Sequence, residues 1–287
     1  MTENIVITSD STTDLGSKLC ERYNISVLPL GVTLGGKNYK DGIDINPDDI
    51  YEHHRKTGEL PKTTAANIGE CIDFFKQFVD KGKKVIHFTI SSDMSSTYSN
   101  SCLAAAEFDG NVHIIDTKSL STGGGLLVVS AAEMLLSGME FEEVVEKTEA
   151  LVSFIDASFV IDSLEYLYKG GRCTAVEMFG ANLLKLKPCI EVKNGKMDVG
   201  KKYRGRFDIV LKQYVEERLS NKDDIDTDRI FVTHAGCDDQ IVNDIVAQVK
   251  KTVPFKEVFV TRAGCTISSH CGRNTLGVLF IKKSPVV

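Results

Sequence analysis

A chain of 287 residues with 42% hydrophobic and 26% charged residues is long enough for two modest domains or one large one, and its balance excludes a disordered or fibrous class. A formal net charge of -6 lacks the positive field that a general nucleic-acid binder needs. Met-Thr-Glu-Asn has no basic run ahead of an apolar one and no apolar run approaches bilayer length, so a soluble, cytoplasmic protein with at most transient membrane contact is expected.

Asn4 to Thr8 reads as a strand and Leu15 to Tyr23 as a helix. Ser26 to Thr33 reads as a strand with an edge or a bend at Pro29. Asn46-Pro47 starts a helix, the amide capping it and the ring fitting its first turn. Asn67 with Glu70 is close to a capping box, and Ile72, Phe75, Phe78 and Val79 give the next helix one apolar face. Val85 to Ile90 suits a buried strand, and Thr97 to Phe108 suits a helix with Leu103, Ala104 and Phe108 turned inward. Val112 to Asp116 then reads as a strand and Gly124 to Leu136 as an apolar helix. This β-α alternation predicts a parallel sheet covered by helices. Ligands in such sheets sit beyond the carboxyl ends of the strands, where Ser9, Asp10, Ser91 and Asp116 fall.

The second half changes character. Ser158 to Ile161 and Pro188 to Val192 read as strands, and Asn194-Gly195 before Met197 signals a hairpin and therefore antiparallel pairing. Helices are predicted over Phe207 to Leu219 and Gln240 to Val249, with strands at Ile230 to Thr233, Val258 to Thr261 and Leu276 to Ile281. The expectation is an α/β protein of two parts, an α/β/α parallel-sheet domain over 1–156 and a smaller mixed-sheet α/β domain over 157–287. No Pro- or Gly-rich linker separates them, so tight packing is expected.

The stretch from Thr89 to Tyr98 is rich in chemistry. A strand runs into Ser91, Ser92, Ser95, Ser96 and Thr97 at a helix start, where hydroxyls and free backbone N–H groups make a site for an anion. Ser95 or Ser96 also suits a plain helix cap. Ile7 to Leu15 is a second strand ending in hydroxyls and carboxylates, with Asp10, Ser11 and Asp14. Further on come Lys62-Thr63-Thr64, Lys169-Gly170-Gly171-Arg172, Lys187-Pro188 and Ser269-His270-Cys271-Gly272.

In that order and spacing these motifs resemble the DegV family of bacterial fatty-acid-binding proteins, the lipid-carrying subunit of fatty acid kinase, over essentially the whole chain from Ile5 to Ile281. The resemblance implies an α/β/α domain, a smaller α/β domain and a lipid held between and within them. Thr63 matches the threonine of the usual Lys-Thr-Ser motif and Ser95 the serine of Leu-Ser-Gly-Thr, which implies a fatty-acid carboxylate between those two hydroxyls. Such donors bind a carboxylate while leaving it available to a second reactant, as the buried tail supplies affinity. Thr64-Ala65-Ala66 stands where Ser-Gln-Pro is common, and Ser96 where Gly is usual. After His270 the family pattern is closer to Thr-Gly-Pro-Gly than to Cys-Gly272-Arg273-Asn274, though Asn274 suits a positive-φ turn. Arg273 adds a charge there.

Arg172, with its forked donors, suits a carboxylate or phosphate, or is a surface loop residue. His270 suits the same head group, or is a core histidine bonded to backbone. His234 is a further neighbour of the pocket. Lys193, Lys196, Lys201, Lys202, Arg204 and Arg206 form a basic stretch with Asp198 as its acid, either a solvated hairpin or, by the resemblance, a kinase-docking surface centred on Arg204.

Enzyme readings are thinner. The chain has no G-x-x-x-x-G-K-[ST] loop, no G-x-G-x-x-G after the first strand and no G-x-S-x-G elbow. Ser121-Thr122-Gly123-Gly124-Gly125 reads as a close-packing or bending element. No H-E-x-x-H or clustered Cys/His spacing exists, so no metal is expected. Eight cysteines without a C-x-x-C pair fit a reducing compartment. The sequence thus points to a lipid-binding protein with no catalytic residues and no cofactor of its own. It is expected to hold a fatty acid of roughly 14 to 18 carbons and present it to a separate ATP-dependent kinase subunit that makes an acyl phosphate. Ser96, Arg172, His270 and Arg204 would line the site or serve the phosphate and partner. The alternative is a serine-dependent esterase/hydrolase or phosphoryl-transfer enzyme using Ser95 with His270.

Overall fold

The computed structural model describes residues 4–174, 176 and 186–286. Strands β1 (Ile5–Asp10), β2 (Ser26–Leu28), β6 (Lys84–Thr89) and β7 (Val112–Asp116) form a parallel sheet in the order β2-β1-β6-β7. The central strands are buried along almost their whole length, as parallel strands covered on both faces must be. Their polar members find partners inside, such as Thr8 Oγ1 with His87 Nδ1 at 2.8 Å. With no water to share its charge, His87 has its pKa lowered by burial to about 3.

The second sheet is mixed and six-stranded, in the order β10-β9-β8-β13-β11-β12. Its strands are β8 (Ile155–Ile161), β9 (Lys187–Lys193), β10 (Lys196–Tyr203), β11 (Ile225–Ala235), β12 (Glu257–Arg262) and β13 (Thr275–Lys282). The Asn194-Gly195 signal is realised: β9 and β10 are antiparallel, and both turn residues have positive φ, 48° and 82°.

The helices make alternating layers with the sheets. On the outer side of the parallel sheet lie α3 (Ile68–Val79) and α4 (Thr97–Ala105). On the inner side α5 (Thr122–Leu136) is shared, packing against β1 and β6 and also against β8 and β13. Its start is Gly-rich because space is short: a Cβ on Gly125 would lie 2.9 Å from the Thr13 carbonyl oxygen, and one on Gly123 2.2 Å from Ser119 Oγ. Beyond the mixed sheet lie α8 (Phe207–Arg218) and α9 (Asp239–Thr252). The remaining helices are α1 (Gly16–Arg22), α2 (Pro47–Thr57), α6 (Phe141–Leu151), α7 (Glu165–Gly170) and α10 (Cys265–Cys271). Capping boxes close the N-termini of α2, from Asn46 with Asp49, and of α3, from Asn67 with Glu70.

Several elements differ from expectation. The predicted Ser26 to Thr33 strand is two strands: the chain leaves the parallel sheet after Leu28, bends at Pro29, and β3 (Gly31–Leu34) joins β4 (Lys37–Lys40) and β5 (Lys62–Thr64) in a small antiparallel sheet. Leu103 does not point inward. It is 58% exposed, because α4 turns its small residues Thr97, Ser101, Ala104 and Ala105 to the core. A division near residue 156 stays a proposal: that point lies within β8, and one apolar cluster joins Phe88 and Leu127 to Phe159 and Leu279.

Candidate functional site

The parallel and mixed sheets leave a cavity of about 240 Å³. Its apolar wall comes from both, with Leu30, Ile90 and Leu120 on one side and Phe159, Met197 and Leu279 on the other. Thr63, Ser95, Ser96, Arg172, His234 and His270 also line it. Ser96 and Arg172 are exposed, whereas Thr63, Ser95 and His270 are half-buried, so the polar groups mark its mouth. The structure thus brings together five of the six candidate residues. Arg204, past the end of β10, does not line the cavity.

Thr63 sits on β5, whose register against β3 pairs it with Val32. His270 sits on α10, and its Nε2 lies 2.8 Å from Thr63 Oγ1. The Nδ1 side of the ring faces Gly170, the last residue of α7, so closely that a Cβ there would stand 2.6 Å from Nδ1. His270 Nδ1 has no hydrogen-bond partner among the described residues. Burial, with the nearby Arg172 guanidinium second, lowers the His270 pKa to about 4, so the ring is neutral at pH 7. Arg172 follows Gly171, whose φ of 65° ends α7 in the left-handed region, and its Nη1 donates to the Gly170 carbonyl at 2.6 Å.

Ser95 lies in the turn before α4 and accepts from the Thr97 N–H at 3.2 Å, with Thr97 Oγ1 at 2.9 Å. The N-cap position is Ser96, whose side chain makes no cap bond, so Ser95 both closes the turn ahead of α4 and lines the cavity. Ser95 and His270 are not hydrogen-bonded to each other; their bonds go to Thr97 and Thr63. The nucleophile-to-base contact that the hydrolase alternative requires is thus not made. The turn at Asn274 has φ 58° as expected, and Arg273 donates its Nε to the Gly236 carbonyl at 3.1 Å rather than lining the cavity.

The basic stretch is largely neutralised by acids, two of them only two residues along the chain and two from distant elements. Lys193 pairs with Glu191, Lys196 with Asp93, Lys201 with Glu217 and Arg206 with Asp208. Arg204 is exposed and forms no ion pair or hydrogen bond among the described residues. The hairpin tip packs on the loop that leads to Ser95, where Ser91 Oγ donates to the Gly195 carbonyl at 2.7 Å. Sequence reasoning did not find Thr266, Thr233 or Ser121, which also line the cavity, because no local motif distinguishes them from capping or core hydroxyls.

Among the described residues no helix is long and apolar enough to cross a membrane. The family model described as "Uncharacterised protein, DegV family" matches residues 4–283. A DegV domain-containing protein of Caldanaerobacter subterraneus subsp. tengcongensis is 30% identical over 283 residues, covering 98% of this chain and 100% of the relative. Among solved structures, a fatty-acid-binding DegV family protein from Thermus thermophilus superposes with a TM-score of 0.89 at 28% identity, covering 97% of this chain and 99% of that one. A stearic acid-binding protein from Eubacterium ventriosum gives 0.83 at 28% identity, covering 96% and 98%. DegV of Bacillus subtilis, a fatty acid binding protein, gives 0.84 at 26% identity, covering 98% and 99%. Matched from end to end in sequence and in fold, the chain belongs to the DegV family.

Proposed function

We propose that this protein binds one long-chain fatty acid and presents its carboxylate to a separate ATP-dependent kinase, which converts it to an acyl phosphate. The observation that carries the reading is one cavity whose wall is apolar and whose mouth holds three hydroxyls, two imidazoles and a guanidinium. That polarity matches an amphiphile with an anionic head, and the solved relatives from Thermus thermophilus and Eubacterium ventriosum bind such ligands.

In this reading Thr63 and Ser95 donate to the carboxylate. His270 is neutral at pH 7 and shares a hydrogen bond with Thr63, so it orients the threonine without a fixed cation against the head group. Arg172, exposed at the mouth, and Ser96 take the negative charge that grows as a carboxylate oxygen attacks the terminal phosphate of the partner's ATP. Arg204, exposed and with no partner among the described residues, lies past the end of β10, at the opposite end of the hairpin from the tip that meets the Ser95 loop, and docks the kinase. The chain itself acts as a carrier in the cytoplasm, with no cofactor.

Mass spectrometry of an organic extract of the purified protein tests this. A stoichiometric long-chain acid supports it. An empty cavity, together with turnover of an acyl ester without any partner, overturns it in favour of an enzyme.

A further inference from the structure

Asp10, Asp14 and Asp41 are absent from the cavity lining, yet they are 0%, 6% and 4% exposed. None of them forms an ion pair among the described residues. Three buried carboxylates without a cation are costly unless donors meet each oxygen, so the donors show what the cluster holds.

Those donors come from the acidic turn itself and from three other segments, at Ile90, at Ser121, whose Oγ donates to Asp14, and at Gly264 to Thr266. Asp10 Oδ1 accepts from the Thr12 N–H at 2.9 Å, and Asp10 Oδ2 accepts from the Ile90 N–H at 2.8 Å, where β6 hands over to the loop bearing Ser95. Asp14 Oδ1 accepts from the Gly264 N–H at 2.7 Å. Asp41 accepts from Cys265 N–H at 2.7 Å and from Thr266 N–H at 2.9 Å, one on each oxygen. These are the leading N–H groups of α10, which have no carbonyl within the helix to pair with. Gly264, the N-cap, has no side chain to do so, and a Cβ there would lie 3.2 Å from an oxygen of both Asp14 and Asp41. The cap of α10 is delivered from 250 and 224 positions away in the chain. One turn after Thr266 the same helix presents His270 to Thr63.

We infer that Asp14 and Asp41 are positioning residues for His270, and that Asp10 of the same acidic turn positions the loop bearing Ser95, so that one buried bracket sets the spacing of the head-group donors. The inference rests on the fatty-acid reading only for its effect on binding. The bracket's hold on His270 is a separate observable.

The test is Asp41→Asn, which keeps the shape but loses the charge and one acceptor, examined by palmitate titration calorimetry, thermal melting and ¹⁵N NMR of the histidine rings. The expected result is a folded protein with about tenfold weaker palmitate binding and a His270 resonance that titrates closer to pH 6.5 than in the wild type, with Arg172 the charged group beside it. Gly264→Ala leaves every carboxylate in place and should shift both readouts the same way by less, which guards against a folding failure of the first variant. A lower melting temperature with wild-type palmitate affinity and wild-type His270 titration would mean a merely structural cluster and would overturn the inference. Failure of the wild type to bind palmitate would sink the lipid reading instead, leaving the His270 titration to judge the bracket.

Discussion

Gly170→Ala isolates the contact at the centre of the site. The new methyl would stand 2.6 Å from His270 Nδ1, whereas ordinary heavy-atom contact begins near about 3.5 Å, so the ring must retreat by roughly 1 Å. Its other nitrogen is tied to Thr63 at 2.8 Å, so the ring cannot back straight away and must turn or slide aside, which breaks the geometry of that bond. A lost bond among half-buried partners costs about 1–3 kcal/mol, equivalent to roughly five- to hundredfold in affinity if the ligand depends on the oriented threonine. The backbone gives no opposing strain, because Gly170, unlike Gly171, is not among the glycines with positive φ. Alanine also suits a helix better than glycine by up to about 1 kcal/mol. Palmitate affinity should therefore fall, and stability should drop by about 0–2 kcal/mol, the cost of the broken bond less the helix preference of alanine. Unchanged affinity would refute the role given to the Thr63–His270 pair.

The neutral His270 also fixes a pH dependence. Its folded pKa is lowered to about 4 from 6.5, so the folded state binds fewer protons than the unfolded one between those values, and its contribution to stability is lost as pH falls from 6.5 toward 4. Asp10 works the other way: burial raises its pKa to about 6 from 3.8, and stability is lost as pH rises through that window. His270→Gln should thus gain on the wild type by on the order of 2–3 kcal/mol between pH 6.5 and 4 in urea titrations, and a constant difference would count against a buried neutral imidazole. Arg218 pairs with Asp156 and Glu191 in an ion triad that is mostly buried; Arg218→Met should cost about 3–5 kcal/mol by leaving Asp156 uncompensated, and a loss below about 1 kcal/mol would show that water reaches it.

Local patterns were legible and long-range pairings were not. The parallel sheet could be read because its strands are continuous apolar runs with helices between them, and the β9–β10 hairpin because Asn194-Gly195 carries the positive φ that the turn needs. The small β3-β4-β5 sheet was not, since strands of three or four residues such as Lys62–Thr64 carry no period and exist through their partners. Leu103 was misplaced because residue type alone outweighed the small-residue face of α4. Thr63, Ser95, Arg172 and His270 were nameable from motif order, but α10 itself was not. Its seven residues follow a bare glycine at the N-cap, and the carboxylates that cap it lie in another part of the chain.

The magnitudes separate what holds a lipid from what presents it. A tail of some 14 buried methylenes at about 0.8 kcal/mol each gains on the order of 10 kcal/mol before ordering costs, while each hydrogen bond to a charged head contributes about 1.5–3 kcal/mol. Thr63→Ala combined with Ser95→Ala should therefore leave a protein that stays folded, less stable by about the 1–3 kcal/mol of the lost Thr63–His270 bond, and still carries fatty acid through purification. Its acyl phosphate yield with a kinase partner should fall by far more than its lipid content, because a tail held in a greasy wall leaves the head free to swing. Equal losses of bound lipid and of product would mean that these hydroxyls only anchor the ligand and do not also aim it.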